Sequence, residues 1–191
     1  MSKLETNQVD PATGTTLTLG TSGDTITIPS GVTIANSGTA TGFGGTMSPA
    51  FYANNGTTDQ SINDTTQTKV DFGTEILDTD SAFATSRFTV PSGKAGKYYL
   101  FASVDCLETD SDMESHNIYF FKNGSAFVTH TFNNTSTSKV RRMSTYFGTI
   151  FDLSASDYIE IYFQFVGTAG NAASIKGTSN ATFFGGYKII E

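Results

Sequence analysis

Between Asp157 and Phe165 the chain alternates without a break. Ile159, Ile161, Phe163 and Phe165 fall on one side, and Tyr158, Glu160, Tyr162 and Gln164 on the other. A period of two, carried by aromatic and β-branched residues, predicts a half-buried strand. The tyrosine-rich second side predicts contact with a neighbouring subunit, a second sheet or a ligand.

The same signal recurs through the second part of the chain. Pro49-Ala50-Phe51-Tyr52-Ala53, Lys69 to Leu77 and Arg87-Phe88-Thr89-Val90 each predict a strand. In Tyr98 to Leu107, the residues Tyr98, Leu100, Ala102, Val104 and Cys106 share one face. Asn117 to Phe121 ends at Lys122-Asn123-Gly124, and Asn-Gly is a strong hairpin signal. Phe127 to Phe132, Lys139 to Leu153, Tyr158 to Val166 and Thr182 to Ile190 complete the series. Many strands with turn punctuation and no helical period predict an all-β jelly-roll sandwich.

Residues 1–48 read differently. Leu17/Leu19, Ile26/Ile28 and Val32/Ile34 are short apolar pairs separated by Gly-, Ser- and Pro-containing turns. Each predicts a strand of about four residues, too small to bury itself in one chain. A linker is one reading; the expectation here is an ordered leader whose strands pair between chains or dock. Thr39 to Ser48 forms the hinge.

Composition sharpens this division. Of 16 Phe and 8 Tyr, only Phe43 precedes residue 49. A leader over 1–48 and a head domain over 49–191 are therefore expected. The formal net charge of −7 repels a nucleic-acid backbone, so DNA and RNA are excluded as expected partners. Cys106 is the single cysteine, which excludes an intrachain disulfide. No run reaches transmembrane length, and the opening Met-Ser-Lys-Leu-Glu-Thr-Asn-Gln has no apolar core of a secretory signal. Synthesis in a cytoplasm without membrane insertion is expected.

Seven short motifs occur in a telling order: Pro49-Ala50-Phe51; Val70-Asp71-Phe72; Phe83 followed by Arg87-Phe88-Thr89-Val90-Pro91; Gly96-Lys97-Tyr98-Tyr99-Leu100-Phe101; Lys122-Asn123-Gly124; Asp152-Leu153-Ser154-Ala155-Ser156-Asp157; and Thr182-Phe183-Phe184-Gly185-Gly186-Tyr187. Over residues 49–190 this series resembles the globular head of complement component one-q and its tumour-necrosis-factor-like relatives. The resemblance implies a two-sheet jelly roll assembled as a homotrimer, with strand aromatics on the three-fold axis. Tyr99, Phe101, Tyr158 and Tyr162 are the expected interface residues. Ser156 stands where the family usually has glycine, and the collagen-like stalk of the complement proteins is absent. The leader is similar in composition to the Thr/Gly-rich amino-terminal segments of bacteriophage tail-fibre and other virion proteins.

Candidate chemistry is sparse. Asp110, Asp112 and Glu114 have the one-three-five spacing of a calcium loop, but Ser115 occupies the turn-glycine position and Phe121 that of the bidentate Glu. Calcium is the one candidate cation; no other cofactor is expected. His116 and His130 are the only histidines, and there is no Gly-x-Ser-x-Gly nucleophile motif. No enzyme is expected, and no catalytic residue is assigned. Arg141 and Arg142 put a cation on each strand face, with a cross-subunit salt bridge as the expected role.

The expectation is thus a trimeric bacteriophage virion protein, a tail-fibre or appendage head for host attachment, made in the host cytoplasm and released by lysis. Residues 1–48 would dock on other virion proteins, and Asn133, Asn134 and Asn171 in polar loops would meet host-surface glycan. Capsid decoration and a secreted lectin- or cytokine-like module are the alternatives.

Overall fold

The structure, a computed structural model, describes residues 9, 11–35, 37, 47–110, 112–177 and 180–189. The chain divides into two compact units, Met1–Thr41 and Gly42–Glu191. None of the described residues of the first unit enters a strand, in contrast to the three short strands expected there. Turns alone organise it: Asp24 N–H donates to the Thr21 carbonyl (3.0 Å), and Val32 N–H to that of Pro29 (3.2 Å). The Asp24 carboxylate closes the first turn by accepting from Thr21 N–H at 2.7 Å. Before, between and after the turns, Leu17, Leu19, Ile26, Ile28, Val32 and Ile34 are all exposed. A four-residue extended piece gains a ladder only from a partner strand, and none of the described residues pairs with these pieces. The hinge expected from Thr39 lies, through residue 46, outside the described residues.

The second unit is a sandwich of two antiparallel sheets. Its strands are β1 (Ala50–Asn54), β2 (Gln60–Ile62), β3 (Thr68–Lys69), β4 (Thr74–Asp78), β5 (Phe83–Ala84), β6 (Arg87–Thr89), β7 (Gly96–Glu108), β8 (Met113–Lys122), β9 (Ser125–Asn133), β10 (Arg142–Leu153), β11 (Tyr158–Gly167), β12 (Ala173–Ile175) and β13 (Phe183–Lys188). β7 organises the first sheet. Along one edge it pairs with β10, from Gly96↔Leu153 to Leu107↔Arg142. Its other edge takes β13 and then β12, while β1 and β4 lie beyond β13 and β2 beyond β12. β11 organises the second sheet, between β8 on one edge and β6 and β3 on the other, with β9 outside β8 and β5 outside β6.

The two period-two patterns read from the sequence meet in the middle. Tyr98, Leu100, Ala102, Val104 and Cys106 of β7 face Ile159, Ile161, Phe163 and Phe165 of β11, all wholly buried. Phenylalanines tie the layers together: Phe51 stacks on Phe88 (4.6 Å between ring centres) and meets Phe184 edge-on (4.9 Å). Each such ring contributes about 1.5–3 kcal/mol of burial. Burial, then the charges of Asp105 and Glu108, push the Cys106 thiol up to about 12, so it stays an uncharged core filler.

Two expected elements are redrawn. Lys69 to Leu77 is not one strand: β3 belongs to the second sheet and β4 to the first, so the chain crosses the sandwich between them. Val70 and Phe72 plug the core during that crossing, and Ser86 Oγ accepts the Phe72 N–H at 2.8 Å. The polar loop expected around Asn171 runs directly into β12, whose Ala173 and Ile175 are buried. The Asn-Gly turn joins β8 to β9 with Asn123 at φ 52° and Gly124 at φ 82°, the left-handed pair that a two-residue hairpin needs. Asn123 is also bonded sideways, donating to Asp157 (2.7 Å) and accepting from Tyr158 N–H (2.9 Å). Hydrogen bonds from Lys122 and Asn123 lower the Asp157 carboxyl to about 2.

Candidate functional site

The side of the first sheet turned away from the core carries a continuous aromatic field. It follows from the register: Tyr52, Gly185, Phe101 and Gly148 lie in one cross-strand row, and Tyr187, Tyr99 and Ile150 in the next. Phe101 therefore has a glycine on each flanking strand. A Cβ at Gly185 would fall 2.7 Å from Phe101 Cζ, and one at Gly148 would fall 2.5 Å from the Tyr99 hydroxyl. The missing side chains let the neighbouring rings lie across the sheet. Ring centres are 5.8 Å apart for Tyr99 and Phe101, 5.8 Å for Tyr99 and Tyr187, 6.2 Å for Phe101 and Phe183, and 5.6 Å for Tyr52 and Phe183.

This field is open to solvent in the single chain. Tyr146 is 53% exposed and Ile150 60%. The Tyr99 and Tyr146 hydroxyls bond to one another at 3.0 Å. That bond, then burial, pushes the Tyr146 phenol up to about 12, so its hydroxyl stays neutral. An uncharged, ring-covered sheet face is suited to apolar association and unsuited to acid–base work.

Charge begins at the far end of the same face. Asp105 is only 1% exposed although it points outward. Arg142 covers it, with Nε 3.1 Å from both carboxylate oxygens, and Ser144 Oγ donates to Oδ1 at 2.9 Å. Arg141 donates to the Glu108 carbonyl at 3.2 Å. Both arginines are thus engaged within their own chain, where a cross-subunit bridge was expected.

The expected interface residues do not share a face. Tyr99 and Phe101 belong to the aromatic field, whereas Tyr158 and Tyr162 lie on the outer face of the second sheet. There Arg87 sits over the Tyr158 ring at 4.1 Å, and Tyr162 stacks on Phe121 at 4.1 Å. Glu160 lies between these tyrosines. Burial raises its carboxyl, but bonds from Lys69 (2.7 Å) and Arg87 (2.9 Å) outweigh burial and leave it lowered. Missed by the sequence reading were Tyr52, Tyr146, Ile150, Phe183 and Tyr187. For Phe183 and Tyr187 the alternation Phe183, Gly185, Tyr187 was the available signal, hidden because glycine looks like punctuation.

The candidate calcium ligands point in different directions. Asp110 accepts from Asn171 (2.7 Å), Asp112 from Ala169 N–H (2.6 Å), and Glu114 faces Lys139 (3.5 Å). Among the described residues no three His, Cys, Asp or Glu side chains gather as a cation site. The buried Glu108 instead caps the loop, accepting from the N–H groups of Asp110 (2.6 Å) and Asp112 (3.1 Å). His116 is wholly buried between Phe132 and Phe163, with Nε2 bonded to Thr145 Oγ1. His130 stacks on Phe147. Of the loop amides, Asn133 is exposed, Asn134 accepts from Ser136 N–H (3.1 Å) and Asn171 is committed to Asp110.

Solved structures share this arrangement. Eiger TNF from S. frugiperda superposes with a TM-score of 0.52 at 14% identity, over 73% of this chain and 91% of that one. Murine APRIL at pH 5.0 gives 0.52 and 16%, over 73% and 98%. The fold is the jelly roll of the tumour-necrosis-factor proteins. The globular domain of zebrafish complement 1qA is also similar, with a TM-score of 0.44 at 17% identity over 74% of this chain and 97% of that one. No protein-family model matches the sequence, and no curated protein does.

Proposed function

We propose that this chain is a homotrimeric, non-catalytic recognition head carried on a bacteriophage particle as a tail-fibre or appendage tip, with residues 1–48 as the anchor. The observation that carries the trimer is the uncovered aromatic field on the first sheet. A second apolar surface complements it. Among the described residues β9 and β10 each end their sheet with an unpaired edge, and between them His130 stacks on Phe147 and Phe127 lies against Phe151, with Phe127 and Phe132 exposed. Docking one chain's β9/β10 edge on the next chain's aromatic field is a head-to-tail contact, which closes into a three-membered ring when each step turns the chain by a third of a revolution. The leader supports a particle anchor through its exposed apolar pairs, which other chains could bury.

Recognition then falls to the exposed end of β9 at Asn133 and the polar loop that follows it, whose amides and hydroxyls suit host-surface glycan, multiplied threefold on one head, while Asn134 and Asn171 hold their own loops. The structural neighbours favour a second reading, a secreted cytokine-like module, because two of them are tumour-necrosis-factor proteins. Light scattering on the purified chain should give three copies, and labelled protein should bind intact host bacteria. A monomer would overturn the trimer. A trimer that ignores bacteria but occupies capsids lacking it would move the role to decoration, and binding only to animal-cell receptors would move it to signalling.

A further inference from the structure

From residue 12 to residue 35 every residue of the first compact unit is exposed, and none of the described residues pairs with this segment as a strand. Its apolar side chains nevertheless keep a strict order. Leu17 and Leu19, Ile26 and Ile28, and Val32 and Ile34 alternate with Thr16, Thr18, Thr25, Thr27 and Thr33. Each piece thus has an aliphatic side and a threonine side, the period of a strand with one face to bury. Threonine, isoleucine and valine all favour a pleated, half-buried surface.

The turns between the pieces are set by the chain itself. In the first, Asp24 N–H donates to the Thr21 carbonyl (3.0 Å), and the Asp24 carboxylate accepts from the Thr21 N–H (2.7 Å) and hydroxyl (3.0 Å). In the second, Val32 N–H donates to the Pro29 carbonyl (3.2 Å). Both turns have glycine in third place, Gly23 at φ 95° and Gly31 at φ 85°, where this kind of turn requires a left-handed residue. Identical copies therefore bend at identical levels, which fixes a register between them.

Charge selects the partner. Asp24 is the one ionisable side chain between residues 11 and 35, and it sits in a turn rather than within an aliphatic pair. The segment has no lysine or arginine to draw it to an anionic lipid surface, and no charge pattern for a foreign protein to match. A neutral surface of this kind opposes no copy of itself. Copies are also at hand, because heads that associate in threes hold three leaders at a high effective concentration.

We propose that residues 17–34 of three chains associate with one another, side by side and in register, with their aliphatic pairs turned inward and their threonines outward. The partner of this surface is two further copies of the same chain. The inference rests on the trimer reading above and says what covers the leader's apolar pairs. One short piece cannot hold a ladder alone, but the six aliphatic side chains of each chain then share one core with those of its neighbours. A particle protein accordingly meets the threonine side of a three-chain unit, not the aliphatic pairs.

Spin labelling and hydrogen exchange on the full-length protein test this. A nitroxide on Thr27→Cys reports the leader alone, since Cys106 is wholly buried. Labels on neighbouring chains should lie within about 15 Å, the width of three paired strands, and broaden the spectrum. Amides of residues 17–19, 26–28 and 32–34 should exchange at least tenfold more slowly than in Tyr146→Asp, whose heads are apart. Ile26→Asp combined with Ile28→Asp should abolish both signals while light scattering still reports three copies, because these positions lie outside the head's compact unit. Narrow spectra and unprotected amides in a trimeric protein overturn the inference and leave the trimer standing, as do signals that survive the double variant. A monomeric full-length chain overturns both readings. A Tyr146→Asp chain that stays trimeric with broadened spectra upholds the leader contact and overturns the aromatic field as the seat of assembly.

Discussion

Gly185 lies directly beneath Phe101: a Cβ at Gly185 would stand 2.7 Å from the ring's Cζ and 3.0 Å from Tyr52. The glycine is there for the ring. Gly185→Val should lift Phe101 off the sheet and roughen the whole field. Because the field faces outward, the head should stay folded while assembly fails.

A pair of charge insertions separates the two tyrosine faces. Tyr146→Asp places a carboxylate in the field and should leave monomers, with a loss of about 1.5–3 kcal/mol of apolar burial per chain before the cost of burying charge. Tyr162→Asp, on the other sheet, should leave the trimer intact. Sedimentation velocity on both variants checks the contrast, and the reverse result would move the axis to the second sheet.

The core was legible in the sequence where both its faces were chemically distinct. Ile159 to Phe165 and Tyr98 to Cys106 alternate cleanly, and both patterns appear as buried faces. What alternation does not encode is which sheet an outward residue belongs to. Tyr99 and Tyr162 look alike in one dimension, yet they lie on opposite outer faces, because that choice is made by strand order across the sandwich. β3, β5 and β12 escaped for another reason. Strands of two or three residues carry only one or one and a half periods of two, too little alternation to stand out, so pairing alone defines them.

Ser156 has a φ of 72° in the turn before β11. An L-residue there pays about 1 kcal/mol that glycine does not. Ser156→Gly should therefore raise stability by up to about 1 kcal/mol despite the added freedom of the unfolded chain. Denaturant melts that show destabilisation would mean that the serine side chain contributes a contact outweighing this strain.

His116 sets an acid limit. Burial, with a smaller contribution from His130, lowers its pKa from 6.5 to about 4. The unfolded chain thus takes up a proton at higher pH than the folded one. Stability is full above pH 6.5, falls as pH drops toward 4, and levels below that. The loss is about 3 kcal/mol. The Asp157 contribution, with its pKa near 2, is lost only at still lower pH. Urea midpoints between pH 7 and 4 should decline in the native protein, and His116→Phe should flatten that decline whatever its effect on absolute stability.

Separate units should come apart without damage. A chain beginning at Met47 should keep the melting temperature and oligomeric state of the head and, on the proposed virion role, fail to enter a phage particle. Failure of that fragment to fold would place leader residues within the head's cooperative unit.

The Asp105–Arg142 pair shows how the outward face stays compatible with association. Its carboxylate is buried by one chain's own arginine and serine, so the face presents no naked anion to a neighbour. Removing Arg142 should hurt more than removing both charges, since a lone buried carboxylate keeps its desolvation cost without its partner. Arg142→Met should accordingly lower the melting temperature, and adding Asp105→Asn should restore part of the loss, because a neutral amide still accepts from Ser144. The sign of that coupling is what thermal melts of the two single variants and the double variant would read. If the double variant is no more stable than Arg142→Met, the Asp105 charge is held by groups other than the guanidinium.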